Sequence, residues 1–291
     1  MKDFKGKTAV ITGAASGIGW GLAKRCAEEG MNVVLADVEE KSLADTEREM
    51  KVGGASVLAV LTDVSKAGDI KALAEKTLET YGAVHLLFNN AGVYGGWTTW
   101  ESTEEDWQWT LGVNLWGVIH GVRVFIPIML KQDIECHVVN TASVAGLMSG
   151  PGEAIYKVTK HAVVALSETL YHELRYGGPK IGVSVFCPWF VNTRVMTCER
   201  NRPSRLLNAP DLEREWKANP TYQMMWRMVD DGVKAGMSCQ QAADCVFNGI
   251  KGNEFYIFTD TNITKSLVQL RMEDILQERN PTNPVSVLMP K

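Results

Sequence analysis

Short runs of valine, isoleucine and leucine alternate along this chain with longer stretches that have helical periodicity. The predicted strands are 8–12, 32–37, 56–61, 84–89, 137–141, 182–187 and 255–258. The predicted helices are 17–29, 39–51, 66–81, 103–130, 154–176 and 239–251. Because the strands are apolar without strict alternation, both faces of their sheet should be covered. The repeated β-α-β order predicts a three-layer αβα fold with a doubly wound parallel sheet of about seven strands.

Two segments depart from this alternation. Residues 193–237 are long and polar and contain Pro203, Pro210 and Pro220, which favours a lid or substrate-binding loop inserted after a strand. Residues 259–291 form a C-terminal extension with one helical pattern, 265–278, and a proline-rich tail that either packs on a neighbouring subunit or stays loose. No linker or repeat divides the chain, so we expect a single domain over residues 1–291.

The charge balance argues against nucleic acid as the main partner. The formal net charge of the 291 residues is -4, so no basic excess is available to neutralise phosphates. The apolar stretch 113–130 is interrupted by Asn114, His120, Arg123 and Pro127, and we expect no membrane span. The first residues mix charges and do not resemble a secretory signal.

The cysteines bear on compartment and on metal binding. The six cysteines show no CxxC pairing, and in a chain without a secretory signal they should stay reduced in the cytoplasm. No spacing of cysteine or histidine fits a zinc site, so we expect no metal.

A glycine-rich turn, TGAASGIG at 12–19, joins the first predicted strand to the first predicted helix. Glycine lets the backbone approach a pyrophosphate, and the helix N-terminus supplies free N–H groups. The spacing G-x-x-x-G-x-G differs from the general dinucleotide fingerprint, and such a turn alone is weak evidence. The residues expected to bind a dinucleotide here are Gly13, Ser16, Gly17, Ile18 and Gly19.

Asp37, at the end of the second predicted strand, bears on which dinucleotide is bound. A carboxylate there can bind both hydroxyls of the adenosine ribose and repel a 2′-phosphate, although it could instead merely cap the next helix. Val38, Glu39 and Glu40 follow, so no neighbouring cation would accept that phosphate. The sequence therefore favours NAD over NADP.

The next two strand ends extend the expected cofactor site. Asp63 and Val64 would meet the adenine, or Asp63 would be a plain turn residue. Asn90, Ala91 and Gly92 suit close packing of backbone around the cofactor, with a solvent-exposed turn as the alternative.

Tyr156 and Lys160 are four residues apart in a predicted helix, which places both side chains on one face. A phenol has an ordinary pKa of about 10 and is a poor proton donor or acceptor at neutral pH. An ammonium beside it favours the phenolate and lowers that pKa. The pair is weak evidence alone and becomes strong beside a nucleotide-binding turn.

The ordered motif set resembles the short-chain dehydrogenase/reductase family from about residue 5 to about residue 195. The residues that carry the resemblance are Thr12, Gly13, Gly17, Ile18, Gly19, Asn89, Asn90, Ala91, Gly92, Asn114, Ser143, Tyr156, Lys160 and those of 188–193. The resemblance implies a Rossmann-type fold, an NAD(P) cofactor and a dimer or tetramer built on the helices predicted at 103–130 and 154–176.

The resemblance also implies four catalytic residues. Tyr156 would exchange the substrate's hydroxyl proton, and Lys160 would lower the pKa of Tyr156 and hold the nicotinamide ribose. Ser143 would bind the substrate oxygen and stabilise a developing oxyanion. Asn114 would kink its helix and hold a water linked to Lys160. Considered singly, Asn114 could equally be a helix-surface amide and Ser143 a turn hydroxyl.

Residues 188–193 complete the expected site. Pro188, Val191 and Thr193 match positions that contact the cofactor in the family, but Trp189 stands where a small residue is usual. Tryptophans also crowd the loops beyond the strand ends, although several of them could be core residues. The residues expected to line the substrate pocket are Tyr94, Trp97, Ser143, Ala145, Tyr156 and Trp189.

These features predict an NAD-dependent oxidoreductase that interconverts a secondary alcohol and a ketone. Aromatic walls favour a bulky apolar substrate of steroid, terpene or aryl type. The alternatives are an NADP-dependent carbonyl reductase of a smaller substrate, an epimerase or dehydratase on the same fold, and a non-catalytic nucleotide-sensing protein. The complete set of four catalytic residues argues against the last.

Overall fold

Seven parallel strands form one sheet in the computed structural model, which describes residues 1–176, 178 and 180–284. The strands are β1 (Thr8–Thr12), β2 (Asn32–Asp37), β3 (Ser56–Leu61), β4 (Leu86–Asn89), β5 (Cys136–Thr141), β6 (Ile181–Cys187) and β7 (Tyr256–Phe258). Their order is β3-β2-β1-β4-β5-β6-β7, and each neighbouring pair is parallel. The predicted doubly wound α/β fold is confirmed, with strand ends shifted by at most two residues.

Helices cover both faces of this sheet. The α-helices of the described residues are α1 (Gly17–Glu28), α2 (Glu40–Val52), α3 (Ala67–Tyr81), α4 (Glu104–Leu111), α5 (Gly117–Gln132), α6 (Ala154–Tyr176), α7 (Pro210–Ala218), α8 (Pro220–Ala235), α9 (Cys239–Gly252) and α10 (Thr261–Leu276). Successive β1 side chains point to opposite faces, so Ile11 enters a core shared with α1 and α9, and Val10 a core shared with α3, α5 and α6.

The helix predicted at 103–130 is interrupted. A π-helical turn, Gly112–Trp116, separates α4 from α5 and contains Asn114. Thr103 caps α4, because its side chain accepts a hydrogen bond from the Asp106 N–H and its own N–H donates to the Asp106 carboxylate. Helical periodicity predicted the extent of this element, but not the extra residue in its turn, because a π-turn arises from packing rather than from periodicity.

The segment 193–237 is helical rather than a loop. It contains 3-10 turns at Val195–Asn201 and Ser204–Leu206, followed by α7 and α8. Pro210 and Pro220 begin α7 and α8, since proline is tolerated in the first helical turn, where its missing N–H would have no partner. We call residues 193–237 the lid.

One helical stretch of the described residues, Glu104–Gln132, is long and apolar enough to cross a membrane by length and composition. Its α5 part has the fully buried side chains of Phe125 and Met129, which pack in the core beneath α3 and α6. A core helix of a soluble protein passes the same test.

The C-terminal extension folds back toward the lid. Asp260 caps α10 by accepting a hydrogen bond from the Ile263 N–H at 2.9 Å. After α10, the Thr282 N–H donates to the Asp274 carboxylate at 2.7 Å, which turns the chain back toward Gly150. The rest of the predicted tail, 285–291, lies outside the described residues.

Candidate active site

The carboxyl ends of the strands open into two adjoining cavities. The first is a cleft bordered by the glycine-rich turn, Asp37, Asp63 and Asn90. The second is a cavity of about 590 Å³ between the Tyr156 region and the lid. The side chains that line both are Ile18, Tyr156, Pro188, Thr193 and Val195. Ligands of doubly wound sheets bind at this edge, where the strand order reverses.

The glycine-rich turn presents the N-terminus of α1 to the first cleft. Ser16 makes no side-chain cap, and the first turn of α1 has no acidic residue, so its N–H groups remain available to an anion. Gly13 has φ +68, and a Cβ there would lie 2.9 Å from the Ala91 Cα. Gly19 has another role, because its Cβ would lie 2.0 Å from the Gly13 oxygen and would force the turn open.

Asp37 lies at the cleft beside that turn. Its carboxylate accepts hydrogen bonds from the N–H groups of Ala15 at 2.9 Å and Glu39 at 3.0 Å. Burial raises the pKa of Asp37 despite these bonds. The carboxylate keeps acceptor positions for a diol, because each oxygen accepts only one of these two bonds.

Asp63 also lines the cleft, together with Val64, but it makes a tight turn of its own. Its carboxylate accepts from the Ser65 hydroxyl at 2.6 Å and the Ser65 N–H at 3.1 Å. Burial would raise the pKa of Asp63, but hydrogen bonds from Ser65 and Lys66 outweigh it and lower that pKa. These contacts match the turn interpretation, and the adenine contact stays a prediction.

Thr12 fastens the loop after β4 to the end of β1. Its hydroxyl accepts hydrogen bonds from the N–H groups of Asn90 at 2.9 Å and Ala91 at 3.1 Å. The Asn90 side chain donates in turn to the Thr12 carbonyl at 3.0 Å. Gly92 follows, and a Cβ there would lie 3.6 Å from the Lys160 Nζ. The loop therefore leads the backbone directly to the residues expected to be catalytic.

Asn114 is fully buried in the π-helical turn and is not a surface amide. Its Oδ1 accepts from the Val93 N–H at 2.8 Å, and its Nδ2 donates to the Val93 carbonyl at 2.9 Å. The same Nδ2 approaches the Thr159 hydroxyl at 3.3 Å. Asn114 thus joins the loop after β4 to helix α6, which holds Tyr156 and Lys160.

Lys160 is buried, and its Nζ donates to the Thr141 carbonyl at 3.0 Å. The Nζ also lies 5.5 Å from the centre of the Tyr156 ring. Burial lowers the pKa of Lys160 from 10.5 to about 8, so the amine still holds its proton at neutral pH.

Tyr156 lies beside Ser143 at the junction of the two cavities. Burial raises its pKa to about 12, and a hydrogen bond with the Ser143 hydroxyl opposes that rise. The direction of this pKa shift in the chain by itself is opposite to the one expected from the Lys160 ammonium. With Lys160 bound to the Thr141 carbonyl, desolvation is the larger effect.

The second cavity has mainly apolar walls. The methionines that line it are Met148, Met196, Met225 and Met228. Of the residues predicted for the substrate pocket, Tyr94, Ser143, Ala145, Tyr156 and Trp189 line it. Trp97 is not among the lining residues, because it is buried against Tyr222 with ring centres 4.9 Å apart. Val191, predicted to contact the cofactor, lines this cavity as well.

A polar group that the sequence analysis missed lies in the wall of this cavity. The Tyr94 hydroxyl donates to the Glu153 carboxylate at 2.6 Å, and the Lys157 Nζ lies 3.3 Å from the other Glu153 oxygen. Glu153 has φ 57, a left-handed conformation that is strained for this residue. The four-residue spacing of Glu153 and Lys157 was the only local sequence signal for this group, since Tyr94 lies on another loop.

The lid also brings unpredicted residues to the first cleft. Arg194, Arg200 and Asn201 line it near Glu39, on the side of Asp37. The Asn201 Nδ2 donates to a Glu39 oxygen at 2.9 Å, and Arg200 forms an ion pair with the same carboxylate. No sequence signal could have located these contacts, since they join residues about 160 positions apart.

The described residues contain no group of three or more His, Cys, Asp or Glu side chains that could hold a metal ion. The first cleft suits a dinucleotide, because a helix N-terminus without a carboxylate and the half-buried Asp37 at a strand end fit a pyrophosphate and a ribose diol.

Comparisons with known proteins agree with this geometry. The family model described as short chain dehydrogenase matches residues 7–203. A crystal structure of a short chain dehydrogenase/reductase from Burkholderia phymatum in complex with NAD is 48% identical, with a TM-score of 0.92 over 98% of this chain and 99% of that one.

Two curated relatives are similar over most of their length. The CLA biosynthesis dehydrogenase/reductase of Lactiplantibacillus plantarum is 33% identical over 97% of both chains. The 1-deoxy-11-beta-hydroxypentalenate dehydrogenase of Streptomyces avermitilis is 34% identical over 88% of this chain and 85% of its own.

Proposed function

Because the chain belongs to the short-chain dehydrogenase/reductase family, we propose that it is an NAD-dependent oxidoreductase that interconverts a bulky apolar secondary alcohol and its ketone. The observation that carries this proposal is the position of Tyr156, which lines both the nucleotide cleft and the apolar cavity. A proton-transferring hydroxyl at that junction can meet a substrate that enters from the lid side.

Four residues of this chain have separate roles in the proposed reaction. The nicotinamide cofactor, when bound, supplies or accepts the hydride at the alcohol carbon. Tyr156 gives its proton to the ketone oxygen or takes it from the alcohol, and Ser143 orients that oxygen by a hydrogen bond. The Lys160 ammonium, with a pKa of about 8, can release a proton at the back of the site and regain it. Asn114 holds the loop after β4 against α6.

Asp37 supports NAD as the cofactor, because its carboxylate lines the cleft, where it could bind a ribose diol and would repel a 2′-phosphate. The similar Burkholderia phymatum protein was crystallised with NAD. Replacing Asp37 with Ala should narrow the difference between NAD and NADP in kcat/KM. An unchanged preference would mean that Asp37 does not meet the ribose.

The lining of the second cavity supports a bulky apolar substrate. Trp189 and Phe190 form part of its wall, and methionines adapt to irregular shapes. The similar Streptomyces avermitilis protein is named as a dehydrogenase of 1-deoxy-11-beta-hydroxypentalenate, which supports an alcohol as the substrate class. Trp189 takes the place of a small residue and should therefore restrict the shape of the ligand at that side.

The test is a panel of secondary alcohols and ketones of steroid, terpene, aryl and small aliphatic types. Each compound is assayed with NAD(H) and with NADP(H), and the absorbance of the reduced cofactor reports turnover. The proposal expects turnover with NAD and bulky members of the panel. Cofactor binding without any turnover would favour the nucleotide-sensing alternative. Turnover confined to small ketones with NADPH would favour the carbonyl reductase alternative.

We also propose a single domain, a homodimer or homotetramer, and the cytoplasm as the compartment. Exposed apolar side chains on α6 and in the π-helical turn, such as Val158 and Trp116, support assembly between copies of the chain. All six cysteines are free thiols, which suits a reducing compartment.

A further inference from the structure

Glu39 connects the nucleotide half of the molecule to the lid across the first cleft. One of its oxygens pairs with an Arg200 Nη and accepts from the Asn201 Nδ2, and the other lies 3.9 Å from an Arg194 Nη. Only 15% of the Glu39 side chain is exposed. Burial would raise the pKa of Glu39, but the bonds from Arg200 and Asn201 outweigh it and lower that pKa, so the carboxylate is ionised at neutral pH.

Glu39 lies next to Asp37, the residue proposed to bind the ribose. Its own N–H donates to the Asp37 carboxylate at 3.0 Å, so the two acidic residues lie side by side. Asp37, Glu39, Arg194 and Arg200 all line the same cleft. The two carboxylates and two guanidinium groups carry charges that cancel, and removing the Glu39 charge leaves an excess of one positive charge there.

Arg200 would stay in place without Glu39. One of its Nη atoms donates to the Thr197 carbonyl at 2.7 Å and approaches the Arg194 carbonyl at 3.3 Å. These bonds are made within the lid and do not involve Glu39. The other Nη would then present unsatisfied donors to the cleft, which is the arrangement that binds phosphate.

We propose that Glu39 is a second determinant of selectivity for NAD over NADP, because it occupies two lid arginines that would otherwise bind a 2′-phosphate. This inference rests on the proposed function, in that the first cleft takes a nicotinamide dinucleotide. It assigns to Glu39 a role that its neighbour Asp37 cannot fulfil alone. Asp37 repels the phosphate, whereas Glu39 withholds the cations that could bind it.

The experiment compares Glu39→Gln with the wild-type chain by measuring dissociation constants for NAD and NADP in the absence of substrate, by calorimetry. We expect the ratio of the NADP constant to the NAD constant to fall by roughly tenfold, the scale of one charge-assisted hydrogen bond. The change should shrink in high salt, since dissolved ions screen the attraction between the Arg200 guanidinium and a 2′-phosphate in the open cleft. Glu40→Gln is the matched control, because Glu40 is exposed and has an adjacent position in the sequence.

Further variants test whether the gain in NADP binding depends on Arg200. In the Glu39→Gln background, Arg200→Gln should abolish the gain for NADP, whereas Arg200→Gln alone should change the ratio little, because Arg200 is already paired. Glu39→Ala, which also removes the hydrogen bonds, should shift the ratio in the same direction as Glu39→Gln.

Three results would overturn the inference. These are an unchanged ratio in Glu39→Gln, an equal loss of affinity for both dinucleotides, which would make Glu39 a lid fastener only, and a gain that persists without Arg200. A wild-type chain that binds NADP as well as NAD would overturn both the inference and the proposed cofactor, whereas a chain that prefers NAD but turns over no alcohol would overturn the proposed function alone. The effect of Glu39 on the ratio is measured in either case.

Discussion

At the residue scale, two opposing effects act on the pKa of Tyr156. Burial raises the pKa of its hydroxyl to about 12, while the hydrogen bond with Ser143 lowers it. A protonated phenol is ready to donate to a ketone oxygen, but it must lose its proton to accept one from an alcohol. The Lys160 ammonium, 5.5 Å from the ring centre, is the nearby charge that can favour this loss.

Replacing Tyr156 with Phe should remove the proton transfer and leave the cleft intact. We expect turnover to fall by roughly a thousandfold, which is within the usual contribution of a general acid or base. Because the ring remains, the dissociation constant for NAD, measured by calorimetry, should change little. A variant with nearly wild-type turnover would mean that another group carries the proton.

Lys160 should make stability depend on pH in a specific window. Its pKa is about 8 in the folded chain and 10.5 when unfolded, so between these values the unfolded state binds more protons and stability rises with pH. The difference in unfolding free energy between wild type and Lys160→Met should therefore increase by about 3 kcal/mol from about pH 7 to about pH 10.5.

This measurement uses urea unfolding without cofactor, at one protein concentration, so that ligand binding and assembly do not contribute. Lys160→Met also loses the hydrogen bond to the Thr141 carbonyl. This loss changes the free energy of unfolding of the variant by an amount that is nearly independent of pH below pH 8. A difference that stays constant over the whole range would show that the amine is not buried in its charged form.

At the scale of elements, the lid is anchored by a buried ion pair as well as by Glu39. The Arg202 guanidinium lies 2.8 Å from the Asp106 carboxylate, and both side chains are 2% exposed. Arg202 also lies over the Trp109 ring, at 5.2 Å. The pair joins the start of the lid to α4, whereas most of the described α7 side chains are exposed.

Removing Arg202 leaves Asp106 buried without its cation. In Arg202→Met we expect the free energy that opens the segment 195–208 to fall by about 3 kcal/mol, the lower end for breaking a buried pair. Amide hydrogen exchange of this segment measures the change. Arg205→Met, at an exposed position of the same segment, is the control and should exchange like the wild type.

If Arg202→Met and Arg205→Met exchange alike, the ion pair does not hold the lid.

The π-helical turn is a second element whose geometry depends on side-chain contacts with other parts of the chain. Asn114 is in a helix whose periodicity suggests no interruption, and yet its bonds to Val93 and Thr159 accompany a widened turn. A side chain bound on two sides favours such local geometry.

At the scale of the whole molecule, two exposed apolar side chains are the surface that the proposed dimer or tetramer would cover. Trp116 is 47% exposed in the π-helical turn, and Val158 is 48% exposed on α6. We expect light scattering to give a dimer or tetramer for the wild type. Trp116→Glu combined with Val158→Glu should give a smaller species, because burying two unpaired charges opposes association.

Trp100→Glu is the control, since Trp100 is 83% exposed in the loop before α4. A wild-type chain that is monomeric would contradict the prediction. If the double variant keeps the wild-type mass, assembly uses another surface.

Much of this molecule could be predicted from local pattern alone. The seven strands, the helices that cover both faces of the sheet and the position of Asp37 at a strand end follow from periodicity and motif order. These features depend on residues a few positions apart, where side-chain spacing and backbone preference decide the conformation. Gly13 and Gly17 belong to the same class, since the turn gives both a positive φ, whereas Gly19 is needed because a Cβ there would meet the Gly13 oxygen.

Tertiary structure alone decided how distant segments meet. The pairing of Arg200 with Glu39, the contact of Tyr94 with Glu153 and the raised pKa of Tyr156 depend on residues far apart in the chain or on burial. No local pattern encodes such contacts, because the fold sets both the distance between the charges and the amount of water around them. The sequence therefore predicted the strand ends and most of the residues that line the two cavities, while packing decided which distant residues meet there and how far burial shifts their pKa values.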